Sequence, residues 1–265
     1  MGAGRAGGVG VVGMLAVLAI GYFLGIDVTP LLNGGAPGIG GSGDVEITEA
    51  DQQAAEFVSV TLADTEEVWD RVFRTELGSQ YSPVTLVLFK RITQSPCGNA
   101  SGATGPFYCP IDKKVYLDTD FFVTLQRQLG ARGDFAAAYV VAHEVAHHVQ
   151  DELGILSKVN ALRQRSSQEQ SNVLSVRIEL QADCFSGVGA RMAAETFGSI
   201  EPGDIAEAMT AAGKIGDDTL MRNAGRRPMP DSFTHGTSAQ RQRWFAAGFK
   251  GGQVAACDTF GAADL

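Results

Sequence analysis

"VAHEVAHHVQ", residues 141–150, carries three of the four histidines in a chain of 265 residues. Within it, His143-Glu144-Val145-Ala146-His147 fits the pattern H-E-x-x-H. On a helix, residues i and i+4 lie about 40° apart in projection and one turn along. Two imidazoles on that stripe can reach one ion. Glu144 lies about 100° round from His143, beside the pair. Hydrolysis at zinc needs such a carboxylate to take a proton from water. The plainer alternative is a core helix with satisfied histidines. H-E-x-x-H seldom arises by chance where histidine is this scarce, and Asp134 and Gly154 frame this copy as a helix. The metal reading is therefore the stronger one, and His148 faces away from the stripe.

A catalytic zinc takes a third protein ligand and keeps an open position. A third histidine six residues after the second is excluded, because Gln150 and Leu153 stand where glycine and histidine would be needed. "RIELQAD", 177–183, offers Glu179 and Asp183, again i and i+4 on one helix face. One carboxylate can bind the ion while the other holds a ligand histidine through its second ring nitrogen. The neighbours Ile178, Leu180, Ala182, Cys184 and Phe185 are apolar, so the helix should be buried, and buried carboxylates need partners.

The rest of the chain divides by composition. Residues 1–5 precede a run without charge, 6–26, long enough to span a bilayer. Arg5 is the basic residue before it, and none follows until Arg71, which places the N-terminus in the cytoplasm and the bulk outside. A cleaved signal peptide is the alternative, though the run is long for one. Gly8 to Gly13 fits G-x-G-x-x-G, but too little chain precedes it for the strand a dinucleotide site requires. Residues 27–43 are a Gly-rich linker, and 44–265 form one domain. There, Asp64 with Glu67 reads as the cap of a second helix, "VTLVLF" and "KKVYLD" as strands, and 94–106 as a loop. Asp134 reads as a helix cap and 157–172 as a polar stretch, helical and mobile. A long helix is expected from about Val173, and a last one capped by Thr237 and Gln240. The fold class is α+β, predominantly helical with a small sheet, behind one transmembrane helix.

The net charge of −9 argues against nucleic acid as a partner. Four cysteines outside a membrane suggest two disulfides, with three possible connectivities. Cys97 and Cys109 bracket one loop and are the natural pair, which leaves Cys184 with Cys257.

H-E-x-x-H followed some thirty residues later by E-x-x-A-D resembles the gluzincin arrangement. Four stretches together resemble the bacterial putative neutral zinc metallopeptidase family: "CGNASGATGPFYCPIDKKVYLD", "HEVAHHVQ", "ELQADCFSGV" and "SFTHGTSAQRQRWF". The resemblance implies a zincin-like domain with one zinc per chain, bound by His143, His147 and Glu179. It implies that Glu144 activates water and passes the proton to the leaving amine, and that Asp183 orients His143. It also implies an oxyanion donor at His235, whose plainer reading is a helix-entry residue. Tyr139, one turn before His143, reads chiefly as packing. Zincins bind peptides in extended form along an edge strand, and "KKVYLD" resembles that strand. The expected activity is thus a membrane-anchored zinc endopeptidase. The alternatives are a catalytically weak or inactive zinc-stabilised binding domain of the cell envelope, and a hydrolase of another amide.

Overall fold

The run Thr85–Phe89, "TLVLF", is apolar without alternation, as a strand covered on both faces requires. In the computed structural model it is an interior strand, with Leu86 to Phe89 all buried. The structure describes residues 26–27, 47–101, 105–127, 130, 133–198, 200–201 and 203–265. The described chain is predominantly helical with a small sheet, in agreement with the α+β expectation. It divides into two compact units, Met1–Val60 with Val84–Phe122, and Thr61–Pro83 with Val123–Leu265.

The first, the sheet unit, holds a four-stranded sheet in the order β1 (Ile26–Asp27), β2 (Thr85–Phe89), β6 (Lys114–Asp118), β5 (Phe107–Cys109). β2 runs parallel to β1 and β6, and β5 returns antiparallel to β6. "KKVYLD" is therefore an interior strand, flanked by β2 and β5, and not the edge strand expected for a substrate. Phe107 stacks on Tyr116 with ring centroids 5.1 Å apart, packed with Val87, Phe89 and Cys109. The stretch read as a loop holds a hairpin, β3 (Ile92–Ser95) with β4 (Gly98–Ser101), turned at Gly98 with φ 127°. Cys97 in that turn is bonded to Cys109. Asp51 is buried and gathers the unit's polar contacts: Thr48 N and Oγ1, Thr119 Oγ1 and Lys90 Nζ all donate to it at 2.6–2.8 Å.

The membrane placement is corrected. Residues 6–25 and the 28–43 part of the linker lie outside the described residues, as does the 1–5 tip. Ile26, the last residue of the expected span, and Asp27 form β1, paired with Leu86 and Val87. Among the described residues no helix is long and apolar enough to cross a membrane. The single-pass arrangement, cytoplasmic N-terminus and extracytoplasmic domain, is accordingly not carried forward.

Helix α1 (Glu49–Val72) runs without a break through Asp64 and Glu67, where a second helix was expected to begin. No Gly or Pro interrupts that stretch, so the capping pattern had nothing to cap. After α2 (Asp120–Arg127) come α3 (Asp134–Glu152) and α4 (Ile155–Arg163), which occupies the first part of the polar stretch. Gly133, not Asp134, is the N-cap of α3. Next comes α5 (Gln168–Phe197), which starts earlier than expected because Ser167 and Gln170 form a reciprocal capping box. Then follow α6 (Asp204–Lys214), α7 (Asp217–Asn223) and α8 (Ser238–Gly251), the last capped by Thr237 and Gln240 as the sequence indicates.

In the second, helical unit, α5 and α8 cross at two glycines. A Cβ on Gly248 would lie 1.9 Å from Cys184 O, and one on Gly187 would lie 2.1 Å from Phe245 O. Only bare backbone allows that approach. The Cys184–Cys257 disulfide ties α5 to the segment after α8. Trp69 packs edge-on against Phe185 at 5.6 Å, fixing the second half of α1 to the same helix.

Candidate metal centre

Three helices of the helical unit build the site. α3 supplies one stripe: Tyr139, His143 and His147 at successive i+4 steps. α5 presents Glu179 and Asp183 one turn apart. The crossing of α5 and α8 sets Arg241 against Asp183.

His143 Nδ1 lies 2.9 Å from Asp183 Oδ1, and His147 Nδ1 lies 2.8 Å from Gln150 Oε1. A carboxylate and an amide oxygen accept only, so these partners assign the proton of each ring to Nδ1. Each ring then turns its Nε2, the nitrogen an ion would take, toward Glu179. His143 Nε2 is 3.1 Å from Glu179 Oε2, and His147 Nε2 is 3.6 Å from Glu179 Oε1. One ligand atom from each of these three residues lies within 4.8 Å of the others. Zinc bonds of about 2.0–2.1 Å in tetrahedral geometry separate ligand atoms by about 3.4 Å. The donor types, their spacing and the ring tautomers all fit a zinc ion.

The electrostatics agree. Burial disfavours a charged His143, yet Asp183 and Glu179 outweigh it and lift its pKa to about 9. The negative potential that does this is what a dication would meet. Burial likewise pushes Glu179 up, but His147 and His143 hold it well below the usual carboxylate range. Glu144 is buried beside the pair, and burial raises its pKa against the pull of His147 and His143.

Asp183 is fully buried and its acceptors are saturated. Besides His143 it takes Tyr139 Oη at 2.5 Å, and Arg241 Nε and Nη2 at 2.9 and 3.0 Å. Arg241 Nη2 also donates to Tyr139 Oη at 3.1 Å. Tyr139 thus packs, as expected, and also braces the carboxylate behind His143. His148 turns away and pairs with Ser82 O at 2.6 Å.

His235 precedes α8, its side chain half exposed. Asp217 Oδ2 collects the backbone N–H groups of Thr234, His235 and Gly236 at 2.7–3.0 Å, while Oδ1 faces His235 Nδ1 at 3.2 Å. The bond to Asp217, opposed by burial and helped by the charge on Glu179, raises the His235 pKa.

Three residues escaped the reading of the sequence. Gln150 entered it only as evidence against a third histidine. Its signal was an amide at i+3 from a ligand on an otherwise apolar helix. Arg241, 2% exposed, carried the signal of an arginine inside "RQRWF". Asp217 carried none.

Residues 1–260 match the model of the family described as "Putative neutral zinc metallopeptidase". The chain is 46% identical over 252 residues to "Uncharacterized protein YpfJ" of Escherichia coli (strain K12), covering 95% of this chain and 86% of that protein. It is 40% identical over 240 residues to "Uncharacterized protein Rv2575" of Mycobacterium tuberculosis (strain ATCC 25618 / H37Rv), covering 87% and 78%. No solved structure matches it.

Proposed function

The chain belongs to the Putative neutral zinc metallopeptidase family, and from that premise we propose that it is a zinc-dependent endopeptidase, with one ion held by His143, His147 and Glu179. One observation carries this reading. Two imidazoles have their Nδ1 atoms engaged, and both Nε2 atoms converge on one carboxylate with Glu144 alongside. Bound there, zinc supplies Lewis acidity, which acidifies water and polarises a carbonyl.

The chain's own residues supply the rest. Glu144, its pKa raised by burial, takes the proton of the attacking water and hands it to the departing amine. Asp183 and Gln150 keep both ligand rings in the Nδ1–H tautomer. His235 would donate to the developing oxyanion. Asp217 engages its Nδ1 and favours the protonated ring, so Nε2 carries a hydrogen to give. The substrate is a polypeptide, whose scissile carbonyl must reach the ion and Glu144 together.

The test is zinc content and cleavage of an unstructured protein by the same preparation, with and without a chelator. The parent should carry one zinc per chain and cleave until chelated. Glu144→Gln should keep its zinc and lose about 10²–10⁴-fold in rate. Equal cleavage by that variant would remove Glu144 as the base. Zinc without any cleavage would favour a binding domain that uses the same three ligands.

A further inference from the structure

Gln150 is fully buried one turn beyond His147, and its amide has no freedom of orientation. The reason starts far away, at a backbone carbonyl. Cys257 O can only accept, so the side chain facing it at 3.0 Å must be the amide nitrogen of Gln181. That sets Gln181 Oε1 toward Gln150, whose Nε2 donates to it at 3.1 Å and to Ile178 O at 2.8 Å. With Nε2 committed to two acceptors, Gln150 must turn Oε1 to His147, 2.8 Å from Nδ1. An oxygen there demands the proton on Nδ1 and leaves the Nε2 lone pair for an ion. The polarity of each link is dictated by the one before it. Cys257, 1% exposed, is itself held to α5 by its bond to Cys184, the residue after Asp183. A second tie, Thr259 Oγ1 to Arg177 O at 2.7 Å, holds the same segment to α5.

We infer that Gln150 is a positioning residue for the metal ligand His147, and that the Cys184–Cys257 disulfide anchors the directed chain of amides that holds Gln150 in place. This rests on the zinc-ligand assignment made above. Gln150 acts through the ring tautomer of His147, not on substrate. A carboxylate backs one imidazole and an amide the other, so His143 is held by charge and His147 by polarity alone.

The experiment uses the full chain and measures zinc affinity by competition with a chromophoric chelator, together with the visible spectrum of the cobalt-loaded protein. Gln150→Met keeps the side-chain volume but has no acceptor for Nδ1–H. It should weaken zinc by about 10–100-fold and shift the cobalt bands, since the His147 ring is no longer fixed. Should it fail to fold, Gln181→Leu, one link further from the ligand, carries the same expectation. Cys184→Ala with Cys257→Ala should weaken zinc by a smaller factor, because the Thr259 tie remains. Cys97→Ala with Cys109→Ala, in the sheet unit, should leave affinity unchanged. Parent-like affinity and cobalt spectrum in Gln150→Met and Gln181→Leu would overturn the inference while leaving the metal site intact. A parent that binds no zinc would overturn the ligand assignment and this inference with it.

Discussion

Arg241→Met isolates a buried charge. Asp183 has no solvent exposure, and in the parent it takes two charge-assisted hydrogen bonds from Arg241, at 2.9 and 3.0 Å. Methionine fills much of the space of the arginine stem, so the cavity left is small. What is lost is the countercharge. In the zinc-loaded chain, where the ion would occupy Nε2 and the His143 ring would carry one proton, Asp183 keeps His143 and Tyr139 as neutral partners. Breaking a buried pair from one side costs roughly 3–5 kcal/mol. That is a large share of the 5–15 kcal/mol by which domains are usually stable. At about 2–4 °C per kcal/mol, the melting temperature should fall by roughly 6–20 °C. Urea unfolding followed by tryptophan fluorescence reads this cleanly, because both tryptophans, Trp69 and Trp244, lie in the helical unit. The companion variant is Asp183→Asn combined with Arg241→Met. If the penalty is the orphaned charge, the double variant costs less than the two singles added, by about 2 kcal/mol or more. A single variant within about 1 kcal/mol of the parent, or strict additivity in the double, would refute the reasoning.

Gly248→Ala drives a methyl toward Cys184 O, where ideal geometry leaves 1.9 Å, so α5 and α8 must part. It should cost roughly 1–3 kcal/mol in the same urea assay, and an unchanged midpoint would contradict the packing described. In the sheet unit, burial pushes Asp51 up, but Lys90, Thr48 and Thr119 outweigh it and hold its carboxyl below the usual range. Its stabilisation is therefore complete above the unfolded value of about 4 and lost as pH falls below that. Circular-dichroism melts should show Asp51→Asn less stable at neutral pH and flatter below about pH 4, whereas parallel curves would contradict the sign. Zinc at about a hundred times its dissociation constant should stabilise the chain by roughly 2.7 kcal/mol, reversed by a chelator. Thermal melts should show that shift in the parent and Glu144→Gln but not in His147→Ala.

What the sequence disclosed was whatever spacing on one helix can disclose. His143, Glu144 and His147 are fixed relative to each other by helical geometry alone, within little more than one turn of α3. Glu179 and Asp183 are fixed in the same way. The Thr237 and Gln240 cap is equally local, and the structure contains it. The same rule misled at Asp64, because a cap needs an end and α1 has none there. It was available but not applied at Ser167 and Gln170. The residues behind the ligands were beyond reach for a different reason. Arg241 meets Asp183 across 58 positions of chain, and Gln181 meets Cys257 across 76. No local pattern encodes which of several arginines or glutamines a crossing of two helices will bring inward. β1 shows the same limit. Ile26, which pairs with Leu86, looked like the end of an apolar run, and Asp27, which pairs with Val87, like the start of a linker.

The Cys184–Cys257 bond closes a loop of 73 positions, and within it lie Asp217, His235 and Arg241. Arg226 and Arg227 stand exposed between α7 and α8, the kind of tip at which chains are cut by proteases. A cut there would divide the site by inheritance. One piece would keep His143, Glu144, His147 and Glu179, and the other His235 and Arg241. The two would still be one molecule, stitched one residue beyond Asp183. Closing a loop of that size lowers the entropy of the unfolded chain by an equivalent of about 4 kcal/mol. A break inside the loop gives up that advantage but not the attachment, so a clipped chain retains every group of the site on a single covalent frame.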